Sequence, residues 1–190
     1  NIKMTKIRVI AKLDVKPPCV VKPVHFEGLR KIGSPKTLID KYYEQGADEI
    51  FYIDIVSSLY QREILYKEID RAAQDLYVPL AVGGGVRSLE DFTRLFHSGA
   101  DKVVINTYAV QEDPSIIDKA AYLFGSQSVV VNVEAKNDRG NWNCYTDCGR
   151  IPSKKNVLDW VVEVQDYNLI QNNVIQTFRH IFDIDSELFQ

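Results

Sequence analysis

The pentapeptide Gly46-Ala47-Asp48-Glu49-Ile50 returns, two structural periods later, as Gly99-Ala100-Asp101-Lys102-Val103. Each copy follows a stretch of helical period and precedes a β-branched run, so each glycine ends a helix and each aspartate launches a strand. A helix-stop, strand-start signal at this pitch implies consecutive right-handed βαβ units around a parallel sheet. Recurrence two units apart favours a (βα)-barrel built from duplicated halves over a single Rossmann half.

Five apolar runs fill the strand positions. Residues 7–13 end at Asp14, 49–53 at Asp54, and 78–82 at Gly83-Gly84-Gly85; 102–105 end at Asn106-Thr107, and 128–133 at Glu134. Near-continuous apolarity marks strands covered on both faces. Helix signals lie between them. Ser34 caps a helix with Pro35 at its first position, stopping at Gly46. Ser88 stands three residues before Asp91, a capping-box spacing, and its helix ends near Gly99. Asp113-Pro114 opens another that stops at Gly125, and a further helix through residues 159–164 begins near Pro152 to Asn156.

The pattern stops at about residue 165. Residues 166–190 show no Gly-Ala-Asp launch and no sixth strand with a polar tip, and Phe178, Ile181, Phe182, Ile184 and Leu188 fit one amphipathic helix. The expected fold is therefore α/β, of the parallel (βα)8 TIM-barrel type, truncated to about five βα units over 1–165, with a divergent tail of helical spacing over 166–190. An open barrel edge would be a surface for self-association.

Composition excludes several function classes. Apolar residues at 45% suffice for a packed core, and a net charge of −3 gives no electrostatic basis for a nucleic-acid or anionic-membrane partner. No apolar stretch approaches the roughly 20 residues of a bilayer span, and the first residues lack signal-peptide features. A cytoplasmic location is the default expectation. Cys19, Cys144 and Cys148 are too few for a disulfide scaffold; the last two form C-x3-C with His25, His97 and His180 all remote. Reduced thiols are expected, with no metal and no cofactor.

In parallel α/β folds, chemistry gathers at the C-terminal ends of the strands. That selects Asp14, Asp54, the glycine triplet, Asn106-Thr107 and Glu134. In an eight-stranded barrel, strands one and five are diametrically opposite, so Asp14 and Glu134 are expected to face each other and divide general-acid and general-base roles. The alternative is that one of them orients a lysine: Lys16, Lys22 or Lys136. Gly84 and Gly85, ahead of the Ser88-capped helix, let backbone N–H groups approach an anion, with Asn106 and Thr107 completing a phosphate pocket. Tight turns need glycine too. Lys22, in the long loop after strand one, either folds over an anionic substrate or is simply solvated. Arg8, Glu49 and Lys102 open strands one, two and four. Pointing outward they meet solvent; pointing inward they form a ring of opposite charges closing the barrel floor.

Taken in order, Leu13-Asp14-Val15-Lys16, Val20-Val21-Lys22, Gly46-Ala47-Asp48-Glu49, Gly83-Gly84-Gly85, Gly99-Ala100-Asp101-Lys102-Val103, Ile105-Asn106-Thr107, Phe124-Gly125-Ser126-Gln127 and Asp159-Trp160-Val161 resemble the cyclase-subunit family of imidazole glycerol phosphate synthase, from histidine biosynthesis. The resemblance covers about residues 7–165. It implies a (βα)8 barrel in which ammonia from a glutaminase subunit, docked at the floor as a heterodimer, enters through a charged gate. There it cyclises a bis-phosphorylated ribulosyl formimino substrate, a lyase-type reaction. Asp14 matches the catalytic aspartate of strand one, Lys22 the loop lysine, and Gly85, Asn106 and Thr107 one phosphate site. Arg8, Glu49 and Lys102 match three members of the gate.

The chain also departs from the family. Glu134 stands where a second catalytic aspartate is usual, Lys12 where a small residue is common, and Pro17-Pro18-Cys19 replaces a polar stretch. These departures resemble paralogues that serve sugar amidation in surface-polysaccharide synthesis. Three readings follow. The chain is a cyclase acting on the histidine intermediate, a paralogue delivering ammonia to a sugar precursor, or a truncated inactive chain that binds only a glutaminase or another half-barrel.

Overall fold

A computed structural model describes residues 8–24, 28–56, 62–166 and 177–180. The chain divides into two compact units, Asn1–Val104 and Ile105–Gln190. In the first, β1 (Ile10–Lys16), β2 (Cys19–Val24), β3 (Gly28–Gly33), β4 (Glu49–Asp54), β5 (Leu80–Gly83) and all but the last residue of β6 (Lys102–Ile105) lie in the order β3-β2-β1-β4-β5-β6. β1, β4, β5 and β6 are parallel neighbours. The crossovers carry α1 (Pro35–Glu44), α2 (Arg62–Ala73) and α3 (Leu89–His97). This is the α/β, mostly parallel arrangement expected from the repeat.

The repeat has a hydrogen-bonding basis. After α1, Gly46 adopts φ 89°, and the N–H of Ala47 returns to the Tyr42 carbonyl at 3.0 Å; after α3, Gly99 adopts φ 102°, and Ala100 returns to Leu95 at 3.1 Å. Both are glycine-ended helix stops of the Schellman type, which need the left-handed conformation. The aspartates then clamp the start of a neighbouring segment at two points. Asp48 donates its N–H to the Val9 carbonyl and accepts the Val9 N–H on Oδ2, each at 2.8 Å. Asp101 does the same to Leu80, also at 2.8 Å twice. The helix starts follow the sequence signals as well: Ser34 Oγ accepts from Thr37 N–H, and Ser88 with Asp91 forms a complete capping box.

In-register residues of parallel strands point to one face of a sheet. One face of the first unit meets the helices, where the Tyr52 hydroxyl donates to Glu68 of α2 at 2.7 Å. Burial, reinforced by that carboxylate, raises the Tyr52 phenol far above its usual range. The other face is a ladder of rungs. The rung of Ile10 and Glu49 comes first, then Lys12, Phe51, Ala81 and Lys102, then Asp14, Ile53, Gly83 and Val104.

The second unit contains α4 (Thr107–Gln111), α5 (Ser115–Phe124), β7 (Val129–Asp138), β8 (Asn141–Thr146), β9 (Ile151–Asn156), α6 (Val157–Asp166) and β10 (Thr177–His180). β7, β8 and β9 form an antiparallel meander, and β10 pairs parallel with β7. Arg139 and Gly140, at φ 51° and 91°, make the two-residue turn between β7 and β8. Positive φ at both central positions is what a tight hairpin needs to match strand twist. Asp113, whose carboxylate accepts from the Ser115 N–H and hydroxyl, opens α5, and Gly125 closes it at φ 87°.

Several expectations change. β1 runs on to Lys16 and β7 to Asp138, and the stretches after each fold back as hairpins rather than loops. Residues 151–156 are strand, so α6 starts at Val157, with Asn156 Oδ1 accepting the Leu158 N–H at 2.8 Å. Thr177–His180 is a strand, where helical spacing through Phe178 had suggested a helix. Main-chain pairing with β7 overrides a four-residue periodicity. Ile7, and Ile181, Phe182, Ile184 and Leu188 of the tail, lie outside the described residues. No described helix is long and apolar enough to cross a membrane.

Candidate active site

The charges that open strands one, two and four converge. Glu49 is completely buried; the Arg8 guanidinium bonds its Oε2, and Lys102 Nζ sits 2.8 Å from Oε1. Two cations on one buried carboxylate offset its desolvation, which for a lone ion costs several kcal/mol. The inward alternative holds for Glu49, while Arg8 reaches it from a half-exposed position.

Asp14 lies further along the same face, on the third rung and two residues before the end of β1. Lys12 Nζ bonds its Oδ1 at 2.8 Å, with the lysine side chain 22% and the aspartate 14% exposed. The lysine that reaches Asp14 is therefore the one two residues earlier, not Lys16 or Lys22. The period of two along a strand is the sequence signal that points to it. Asp54 does a different job. It is buried and accepts the Val56 N–H at 2.8 Å, capping the turn after β4.

Close packing accounts for much of the glycine triplet. A Cβ on Gly83 would lie 2.8 Å from Val104 Cβ, and one on Gly84, at φ 120°, would collide with the Asp54 backbone. Gly85 is left-handed at φ 61°. The polarity expected from the start of α3 is already engaged: Asp91 accepts the N–H groups of Arg87 and Ser88 at 2.8 and 3.0 Å, and Ser88 Oγ accepts that of Asp91 at 3.2 Å. Lys22 is not in a loop. It is an exposed residue of β2, paired in register with Arg30 on β3.

In the second unit, Asn106 and Thr107 stand at the start of α4. Asn106 Oδ1 is buried without a hydrogen-bond partner. Thr107 Oγ1 accepts the N–H of Asp147 at 3.1 Å. Glu134 is buried midway along β7, and its Oε2 accepts the Gly149 N–H at 2.7 Å. Asp147, Cys148 and Gly149, between β8 and β9, are all left-handed, at φ 52°, 58° and 76°. One sharp turn is thus held by two of the residues singled out in sequence. Burial, with the Glu134 charge second, pushes the Cys148 thiol above its usual range. Lys136 Nζ bonds the Gly149 carbonyl at 2.5 Å and lies over the Tyr145 ring.

The sequence reading missed this turn, the Lys12–Asp14 pair and the Gln111 Nε2 to Thr146 Oγ1 bond at 2.5 Å. For the hairpin, the Arg139-Gly140 pair followed by alternating Trp142 and Cys144 was an available signal. A groove of about 430 Å3 lies away from the strand ends, lined by residues that include Val9, Ala11, Tyr42 and Ala47. All three cysteines are free thiols, and among the described residues no three His, Cys, Asp or Glu side chains gather in a way that holds a metal. A carboxylate braced by an ammonium and a second braced by a backbone N–H are groups suited to proton transfer.

The family model described as histidine biosynthesis protein matches residues 8–177. Among curated proteins, the chain is 46% identical over 158 residues to the imidazole glycerol phosphate synthase subunit HisF of Legionella pneumophila, covering 83% of this chain and 74% of that one. It is 44% identical to the HisF subunit of Myxococcus xanthus, covering 82% and 61%, and 42% identical to that of Wolinella succinogenes, covering 84% and 63%. The chain thus spans less than two thirds of the length of the latter two.

Proposed function

This chain belongs to the histidine biosynthesis protein family, beside the HisF subunits of imidazole glycerol phosphate synthase, and from that premise we propose that it is a cyclase of that type. In this reading a glutaminase subunit supplies ammonia at the strand-start end, as a heterodimer. The ammonia passes Arg8, Glu49 and Lys102 and cyclises a bis-phosphorylated ribulosyl formimino substrate. The observation that supports this most is the buried Glu49 carboxylate between its two cations, on the face that carries Asp14 two rungs on. An apolar side chain fills such a site without desolvation, so an ionic cluster there fits control of a small polar molecule better than it fits packing.

Asp14 and Glu134 divide the proton transfers. Gly84, Gly85, Asn106 and Thr107 hold one phosphate, and Lys22 meets the substrate's negative charge. Two details suit an anion. Thr107 already accepts the Asp147 N–H, so its own hydroxyl proton is directed elsewhere. The Asn106 amide, turned over, presents NH2 donors where its oxygen now lacks a partner.

The test is turnover of the purified chain with an ammonium salt and the ribulosyl formimino substrate, read as release of imidazole glycerol phosphate, alongside complementation of a histidine auxotroph lacking the cyclase. Turnover that Asp14→Asn removes supports the reading. Absence of turnover, or equal turnover in Asp14→Asn, sinks it.

A further inference from the structure

Two lysines share the middle rung of one face of the first unit's sheet and serve carboxylates on either side of it. Lys102 reaches back toward the strand starts, to Glu49 Oε1 at 2.8 Å. Lys12 reaches toward the strand ends, to Asp14 Oδ1 at the same distance. Between them the rung holds only Phe51 and Ala81. Both lysine side chains are largely withdrawn from water, at 16% and 22% exposure. A methionine has nearly the reach of lysine and no charge to desolvate, so packing alone gives no reason for an ammonium at residue 12.

Asp14 has a fixed backbone but a side chain with two rotatable bonds. The sheet sets where its Cα lies but not the swing of the carboxylate about χ1 and χ2, which side-chain contacts decide. An ammonium two residues earlier on the same face restricts that swing without occupying the strand-end side, where a substrate would approach. We propose that Lys12 is a positioning residue that holds the Asp14 carboxylate in its working rotamer, the strand-end counterpart of Lys102 at Glu49. The proposal rests on the cyclase reading for the role of Asp14, and on the pair's geometry for that of Lys12. Because Lys12 acts through Asp14 and does not touch substrate, its loss is felt in kcat and not in KM. Misplacing a reacting group by about 1 Å costs on the order of 100-fold in rate.

Lys12→Met is expected to lower kcat about 10- to 100-fold, with KM for ammonia and for the phosphorylated substrate changed less than about threefold. Lys12→Arg, which keeps the cation and its donors, is expected to recover part of the loss. A kcat within twofold of the parent in Lys12→Met overturns the proposal, as does a raised KM with kcat unchanged, which would make Lys12 a substrate ligand. A second readout needs no turnover. In 15N-lysine-labelled protein, the side-chain ammonium signal that Lys12→Met removes is expected to move when Asp14 is replaced by Asn. If that signal responds while the parent shows no turnover, the cyclase reading fails and the Lys12–Asp14 pair stands. If it does not respond, the pairing itself is overturned.

Discussion

Asp14 and Glu134 are both carboxylates of strands in βα units, yet they are held in opposite ways. Asp14 is braced by a side chain, Lys12, two residues away on its own strand. Glu134 is braced by a main-chain N–H, that of Gly149, fifteen residues on and across a hairpin. The first support is an ion pair that keeps some contact with water; the second is a buried hydrogen bond inside a turn of three left-handed residues. A charged brace from a side chain weakens when that side chain is replaced. A backbone brace survives any substitution that leaves the turn intact, and fails when the turn's conformation fails.

The largest effect expected is at Asp14. Asp14→Asn removes a proton-transfer group and should lower turnover roughly 10²- to 10⁴-fold. It also removes the ion pair between Lys12 and residue 14. A stability loss of about 1–3 kcal/mol by urea denaturation follows, less than for fully buried pairs because both groups are partly hydrated. Glu134→Gln should lower turnover by about 10² with a smaller stability loss of about 1 kcal/mol, since an amide oxygen still accepts the Gly149 N–H. Full turnover in Glu134→Gln would make Glu134 a strut for the turn and nothing more, breaking the comparison.

Gly149→Ala tests the backbone brace directly. An alanine at φ 76° costs about 1–2 kcal/mol, and the displaced N–H should reduce turnover by about tenfold while leaving the Lys12 ammonium signal unmoved. Equal effects on both would show that the two carboxylates share a support. The smallest effect concerns Cys148. Burial is the first cause that holds its thiol protonated, and the Glu134 charge adds to it. Glu134→Gln removes the second contribution, so the thiol ionises at lower pH than in the parent. Its alkylation rate at pH 8 should rise by about two- to fivefold, read by mass spectrometry of the labelled peptide. An unchanged rate would separate Glu134 from the turn.

Local features were legible. The Gly-Ala-Asp repeat, the Ser34 and Ser88 caps and the limits of β6 were read from a few contiguous residues, because each depends on hydrogen bonds closed within one turn of chain. Asp14, Glu49 and Lys102 were singled out on the same basis, as polar ends of apolar runs. Asp54 met the same criterion and turned out to cap its own loop. A polar tip looks alike in sequence whichever face of the sheet it takes. The hairpins after β1 and β7 were missed because Pro17-Pro18 and Arg139-Gly140 are weaker turn signals than Asn-Gly.

By itself, then, the sequence determined a succession of βα units, where most helices start and stop, and which strands carry charge at their ends. Those are consequences of periodicity and local capping. Only the tertiary structure decided that Arg8 and Lys102 meet on one buried Glu49, that Lys12 and not a loop lysine braces Asp14, and that Glu134 is tied to Gly149. Each of these depends on strand register or on a hairpin closing. A register moved by one residue turns every side chain to the other face, and no short stretch of sequence fixes it alone.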